Sequence, residues 1–294
     1  MGTMTFNGIS TLDAGVIIQT PPVYEFPTKR IDVIQVQGKN GDIVIDKNTY
    51  NNVNREYNLA SVIGQDGSFI GNVRVLVDWL SSVSGYARLE DSYEPDYFRL
   101  AMYRSGGQLP NFYDKATAMI VKFECKPQRF LKSGEELIET MAPFMPITND
   151  IWFNIKNETK YIALPEITIT GENITINFIS GGKELDNDED VLTDDEFVEA
   201  FGGIIPTLNN YYDSEITISG EILNGKIDCD LQDCYDETGY LNNRTTITEP
   251  AKVNGNWGRK SSWNFPKLYP GNNWIRISGT EFTSMAIKPR WWVL

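Results

Sequence analysis

Histidine is absent from all 294 residues. Its absence removes Ser-His and Cys-His catalysis, and with them histidine-based pH switching. Cysteine is scarce: Cys125, Cys229 and Cys234 are the only three. A structural zinc site typically needs four Cys or His ligands, so three thiols without histidine argue against one. An odd count, with no basic-then-apolar stretch in the opening MGTMTFNGIS, leads us to expect buried free thiols in a reducing compartment and no signal peptide. No apolar run approaches the roughly 20 residues that span a bilayer, so no membrane partner is expected. Positive charge is short as well. The net charge is −14, and almost all of it lies in the second half. Residues 1–131 hold 13 Lys and Arg against 14 Asp and Glu, whereas 181–249 hold 18 acids against Lys183, Lys226 and Arg244. Such a surface repels phosphate, which argues against groove binding to nucleic acid but not against a pore through which DNA slides. No GxGxxG, Walker or nucleophile-elbow motif occurs, and no cofactor is expected.

What is present is β pattern in two blocks. Length alone allows two domains, each able to bury a core. Ile31 to Gln37 alternates apolar and polar, and Ile43-Val44-Ile45 resumes after Gly38-Lys39-Asn40-Gly41-Asp42. Asn-Gly is the strongest short hairpin signal. A single helix is expected near Ile70 to Ser82, where Val73, Leu76, Val77 and Leu80 fall at i, i+3, i+4 and i+7 with Trp79 beside them. Ser68 is its expected N-cap and Gly85 its stop. Two alternating segments follow, Tyr86 to Glu90 and Tyr97 to Tyr103. The turn between them, Asp91-Ser92-Tyr93-Glu94-Pro95-Asp96, has Pro95 to fix φ and Asp91 to cap its own backbone. Arg88 and Arg99 are placed to pair with the acids of this hairpin. Ala116 to Cys125 reads as a strand with Thr117, Met119, Val121, Phe123 and Cys125 on one face, and 126–136 as the exit from the first domain.

The second block opens with short segments, Ile151 to Ile155, Tyr161 to Ile169 and Asn173 to Ile179, at the spacing of a β-sandwich. Nine acids between Glu184 and Glu199 interrupt it, and Thr193-Asp194-Asp195-Glu196 is a capping box for one short helix. We read 181–213 as an acidic helical insertion. Strands return at Glu215 to Ile222 and Lys226 to Cys234.

Five stretches together resemble one family. SGYARLEDSYEPDYFRLAMY (84–103) and GKNGDIVI (38–45), then CKPQRFLKSG (125–134), and finally FPKLYPGNNWIRISG (265–279) with PRWW (289–292), are similar to signatures of the distal tail proteins of long-tailed bacteriophages. The resemblance covers most of 5–140 and 215–294 and leaves the acidic insertion without a counterpart. It implies a mainly β, two-domain chain. Residues 1–135 would be a ring-forming, sandwich-like domain with one packed helix and a protruding hairpin. Residues 136–294 would be a galectin-like β-sandwich, with the crossing near 130–145. It further implies a homo-hexameric ring in the virion. That ring would join the tail tube protein to the hub or tail-associated lysin, let DNA pass through its lumen unbound, and offer docking points for a receptor-binding protein. Self-contact is then expected at the Gly38–Ile45 hairpin, with Gly38, Asp42 and Ile43, and at the Glu90–Tyr97 tip, with Asp91, Tyr93, Pro95 and Tyr97.

Other chemistries compete for particular residues. Asp186, Asp188, Asp190 and Asp194 have the spacing of a calcium loop, but Val191 stands where the loop needs Gly and Phe197 where it needs Glu. Trp257, Trp263, Trp274, Trp291 and Trp292 invite the rival reading of a host-surface saccharide binder, with Trp257 and Trp263 as its candidate stacking residues. Glu90 and Asp91 are the sharpest candidates for a glycosidase pair, and turn-capping accounts for Asp91 better. No catalytic residue or metal ligand is assigned.

Overall fold

The computed structural model describes residues 2–61, 69–104, 118–141, 151–180, 191–193, 214–237, 239–241, 245–248 and 265–294. It is mainly β with a single α-helix among those residues. Two compact units divide between Lys132 and Ser133: Met1–Lys132, which includes Leu294, and Ser133–Val293.

The first unit is built from β1 (Met4–Phe6), β2 (Ile9–Ser10), β3 (Val16–Ile18), β4 (Lys29–Ile34), β5 (Ile43–Tyr50), β6 (Val53–Ser61), α1 (Phe69–Ser81), β7 (Ala87–Asp91), β8 (Tyr97–Tyr103) and β9 (Ala118–Leu131). Its main sheet runs β2-β1-β7-β8-β9-β6-β3, antiparallel at every pairing. A bridge from Gly2 to Ile18 brings the start of β1 back to β3, so the sheet curls on itself. One curled sheet thus encloses the core that two flat sheets would otherwise share. Phe6, Tyr57, Phe123 and Leu59 fill it from the strands. Leu76, Trp79 and Leu80 enter from α1, and the Trp79 Nε1–H donates to the Phe6 carbonyl at 3.0 Å.

The helical stripe differs from the expected one. Trp79 is buried and Val77 is 45% exposed. The buried arc is centred between Leu76 and Trp79, and the indole fills more of it than a valine would. Ser68 and the side chain of Val73 lie outside the described residues, while Gly85 has φ +84°.

In β9, Met119, Val121, Phe123 and Cys125 share the buried face as expected. The strand does not end at Cys125. It continues through Pro127 to Leu131, pairing Phe130 with Phe98 and Arg129 with Arg99. A register shift between Arg99 and Ala101 marks a bulge, and this bulge is where a proline without an N–H is tolerated.

The second unit contains β10 (Ile138–Met141), β11 (Ile151–Asn157), β12 (Glu166–Ser180), β13 (Val191–Thr193), β14 (Ser214–Asp228), β15 (Asp233–Asp236), β16 (Gly239–Tyr240), β17 (Thr245–Thr248), β18 (Gly271–Ser278) and β19 (Glu281–Lys288), with the short β20 (Trp292–Val293) near the chain end. One antiparallel sheet in the order β13-β11-β18-β12-β14-β15-β16 also carries β19 on β12, β10 on β19 and β17 on β14. The sequence predicts two strands between Tyr161 and Ile179 where the structure has one, of 15 residues. Gly171 (φ +156°) and Asn173 (φ +49°) bend β12 without breaking its pairing to β14. The first half of β12 then pairs with β19 and the second half with β18. A Cβ at Gly171 would stand 2.3 Å from the Glu281 carbonyl oxygen, so only glycine fits this corner. The bend lets one sheet wrap a core of Ile167, Ile169, Ile176, Phe178, Ile216 and Ile275.

Of the acidic segment, 191–193 is described and forms β13 on the edge of β11. Thr193 is therefore a strand residue, and the rest of the expected capping box lies outside the described residues. So does the rest of the calcium-like spacing apart from Val191.

Candidate functional site

Two pieces of the first unit were expected to make contacts, and the fold treats them oppositely. The β7–β8 turn is tied inward. Asp91 Oδ1 accepts from the Tyr93 and Glu94 amides at 2.9 and 3.1 Å, the turn-capping role its position predicts. Its Oδ2 accepts from Arg55 Nη2 at 2.9 Å and from the Tyr57 hydroxyl at 2.8 Å. Arg55 also reaches Glu94 Oε2 at 3.2 Å, and Arg129 Nη1 meets Glu94 Oε1 at 2.8 Å. Arg99 stands 3.6 Å from the same carboxylate. Three arginines on β6, β8 and β9 therefore converge on two acids of one turn.

Burial makes this cluster consequential. The side chains of Arg55 and Asp91 are 3% and 5% exposed. Burial opposes the Arg55 charge, but Tyr57 and Asp91 outweigh it and raise the guanidinium pKa. Burial, reinforced by Asp91, also holds the Tyr57 phenol protonated. Burial, against the opposing charges of Arg99 and Arg55, pushes the Cys125 thiol up to about 12. Of the predicted cross-hairpin pairs, Arg99 meets Glu94, while Arg88 pairs with Glu90 two residues along its own strand. Lys132 also reaches Glu90, at 2.5 Å.

Asp91 thus faces into its own unit. Tyr93 packs on the core and against Gly2, and Arg129 lies over the Tyr97 ring at 5.2 Å. Of the tip, Ser92, Pro95 and Asp96 are openly exposed. Sequence reasoning missed Arg55, Tyr57 and Arg129. Arg55 offered one signal, a charge at a position where alternation calls for a buried residue.

The β4–β5 hairpin, by contrast, pairs with no third strand among the described residues. It forms a two-stranded sheet of its own. Gly38 and Gly41, both at φ +82°, turn the chain, with Asp42 and Ile43 starting the return. Its root is clasped by Asn51, whose amide and side chain donate to Thr28 O and Oγ1 at 2.9 and 3.0 Å. Lys29–Asp46 (2.7 Å) and Lys47–Asp32 (2.8 Å) are its ion pairs. Ile43 is 40% exposed and Val44 59%. A lone two-stranded ribbon is marginal in water, and this one shows a row of β-branched side chains to solvent. A covering partner would remove that exposure.

Residues of the saccharide reading are distributed otherwise. Trp257 and Trp263 lie outside the described residues. Trp274 is buried, and Trp292 stacks on Tyr161 at 4.4 Å while donating to the Ile162 carbonyl at 2.8 Å. Arg290 of the terminal PRWW takes a left-handed backbone (φ +59°) and forks onto both Asp228 oxygens at 2.8 and 2.9 Å and onto Glu166 at 2.6 Å. Its amide donates to Gly134 at 2.7 Å. That signature therefore holds the second unit together. Among the described residues no Cys, Asp and Glu group is arranged to hold a metal ion, and no helix is long and apolar enough to cross a membrane.

With this geometry in view, one solved structure shares the architecture along its whole length. The SPP1 Dit protein, described as a paradigm of hub adsorption apparatus in phages that infect Gram-positive hosts, superposes over 100% of both chains with a TM-score of 0.60 at 12% identity. A chain of the phage P2 baseplate in its activated conformation is less similar, with a TM-score of 0.47 at 9% identity over 97% of this chain and 96% of that one. This chain has the distal-tail-protein fold, the fold its five signature stretches resemble. No protein-family model and no curated protein matches the sequence.

Proposed function

We propose that this chain is a structural subunit of a phage tail tip, and that six copies close into a ring through their first units. The observation that carries the reading is the superposition of the whole chain on the SPP1 Dit protein. It is an argument by fold, and folds host several functions. The second support comes from this chain's own surface: a hairpin with no further strand partner among the described residues, and with apolar side chains facing water, is an assembly part before assembly. Ring closure needs one contact repeated by rotation, and an arm reaching a neighbour provides it.

In this role the ring joins the tail tube protein to the hub or tail-associated lysin, DNA passes through its lumen, and the second units dock a receptor-binding protein. The work is mechanical, and no bond is made or broken. Light scattering of the purified chain, alone and with tail tube protein, tests it. A particle of six chain masses is expected. A monomer under every condition, with tube protein included, refutes the ring.

A further inference from the structure

We infer that Tyr24 and Asn52 are positioning residues, which fix the direction in which the β4–β5 arm leaves the first unit. The inference rests on the ring reading for its purpose and on this chain's own contacts for its residues. A ribbon with no third strand among the described residues is free to swing about its two legs, 19–28 and 51–52. The Asn51–Thr28 clasp does not prevent this, nor does the Arg30 Nε–H donated to Asn51 Oδ1 at 2.9 Å, because both tie one leg to the other. The first leg follows β6. The Gln19 amide donates to the Asn58 carbonyl at 2.8 Å, Val23 bridges Glu56, and Glu25 Oε2 accepts from the Asn54 amide at 2.9 Å. But β6 continues the second leg, so these contacts also join leg to leg.

Two side chains connect the legs to the rest of the unit. Asn52 Nδ2 donates to the Tyr86 hydroxyl and to Glu124 Oε1, both at 2.7 Å, and Arg104 holds the other Glu124 oxygen at 2.7 Å. On the other leg, the Tyr24 ring lies over the Arg55 guanidinium, 4.0 Å from centroid to central carbon. Arg55 is itself immobilised by Asp91 and Glu94. Its Nη1 is buried and has no hydrogen-bond partner among the described residues. A desolvated cation gains most from an aromatic face, and Tyr24 supplies one. Tyr24 stays 43% exposed, so its ring caps a charge and fills no core. Tyr86, Asp91 and Glu94 all belong to the 84–103 signature. In this role that hairpin is the anchor that aims the arm, which accounts for a tip tied inward.

Spin labels at Lys39→Cys in the arm turn and Asp78→Cys on α1, both exposed positions, read the arm's direction as a distance distribution. The native cysteines are buried and stay unlabelled. Labelled full-length chain is diluted into unlabelled chain, so that only pairs within one copy count. Tyr24→Leu and Asn52→Ala should each broaden the distribution, and Tyr24→Phe, which keeps the ring face, should leave it as narrow as in the wild type. Thermal melting should stay within about 5 °C of wild type in all three, because neither side chain is buried. An arm that points in the ring-competent direction a tenth of the time should assemble about tenfold more weakly by light scattering. A distribution unchanged in both Tyr24→Leu and Asn52→Ala overturns the inference, whatever assembly does. A broadened distribution with undiminished assembly overturns it too, since the ring then stands without an aimed arm. Loss of the narrow distribution in Tyr24→Phe would show that the hydroxyl and not the ring face is what holds the leg, and would refute the role given to Arg55. A wild type that never assembles refutes the ring reading, and the label distances then decide the positioning role alone.

Discussion

Asp91→Ala removes the acid on which the first unit's buried charges converge. Arg55, 3% exposed, loses its closest carboxylate, and breaking a buried pair from one side costs about 3–5 kcal/mol. Glu94, 3.2 Å from the same guanidinium, retains part of the compensation and keeps the charge cost near the lower figure. Two turn amides and the Tyr57 hydroxyl also lose their acceptor, adding about 1 kcal/mol net. The expected loss is about 4 kcal/mol, or roughly 10–15 °C in the melting of a unit this size. Scanning calorimetry of the full chain reads it. Asp91→Asn separates the terms, because an amide oxygen still accepts from the turn while the charge is gone. Asp42→Ala, in the exposed arm turn, should stay within about 0.5 kcal/mol of wild type. A loss below about 1 kcal/mol for Asp91→Ala would show that the cluster is not the keystone its burial implies.

Three further outcomes follow from the same geometry. Leu76→Ala or Leu80→Ala should destabilise by about 2–5 kcal/mol in urea, and Val77→Ala by well under 1, because only the first two are buried. Asp228 should make the second unit acid-sensitive. Its burial disfavours the charge, but Arg290 and the loop amides outweigh this and lower its pKa below the ordinary 3.8. The stabilisation is full above about pH 5 and fades as pH falls through the depressed value, and Asp228→Asn should remove that part of the acid slope in denaturant titrations. Cys125, Cys229 and Cys234, all buried with raised thiol pKa values, should resist a thiol reagent at pH 8 in the native chain and all react after unfolding.

The legible features were those written in neighbouring residues. The Asp91 cap spans four residues, the Gly38–Asp42 turn five, and α1 a single stretch, so local chemistry was enough to anticipate them. Trp79 displaced Val77 from the helix face because the curled sheet, and not the stripe alone, sets which arc is covered. Pro127 read as a strand end because only the partner strand shows that a bulge accommodates it. Gly171 and Asn173 read as a break between strands for the same reason: their bend is recognisable only once β14 follows it.

Residue order by itself determined that this chain would be β-built, would turn at its Asn-Gly and Pro-containing links, and would bear five stretches similar to one phage family. Tertiary structure decided which strands would be satisfied and which left open. Arg55 found Asp91 across 36 residues of chain, and β4 and β5 found no third strand among the described residues. Burial and strand pairing are properties of distant neighbours. A side chain's pattern declares what it prefers to face, and only the folded sheet decides whether anything is there.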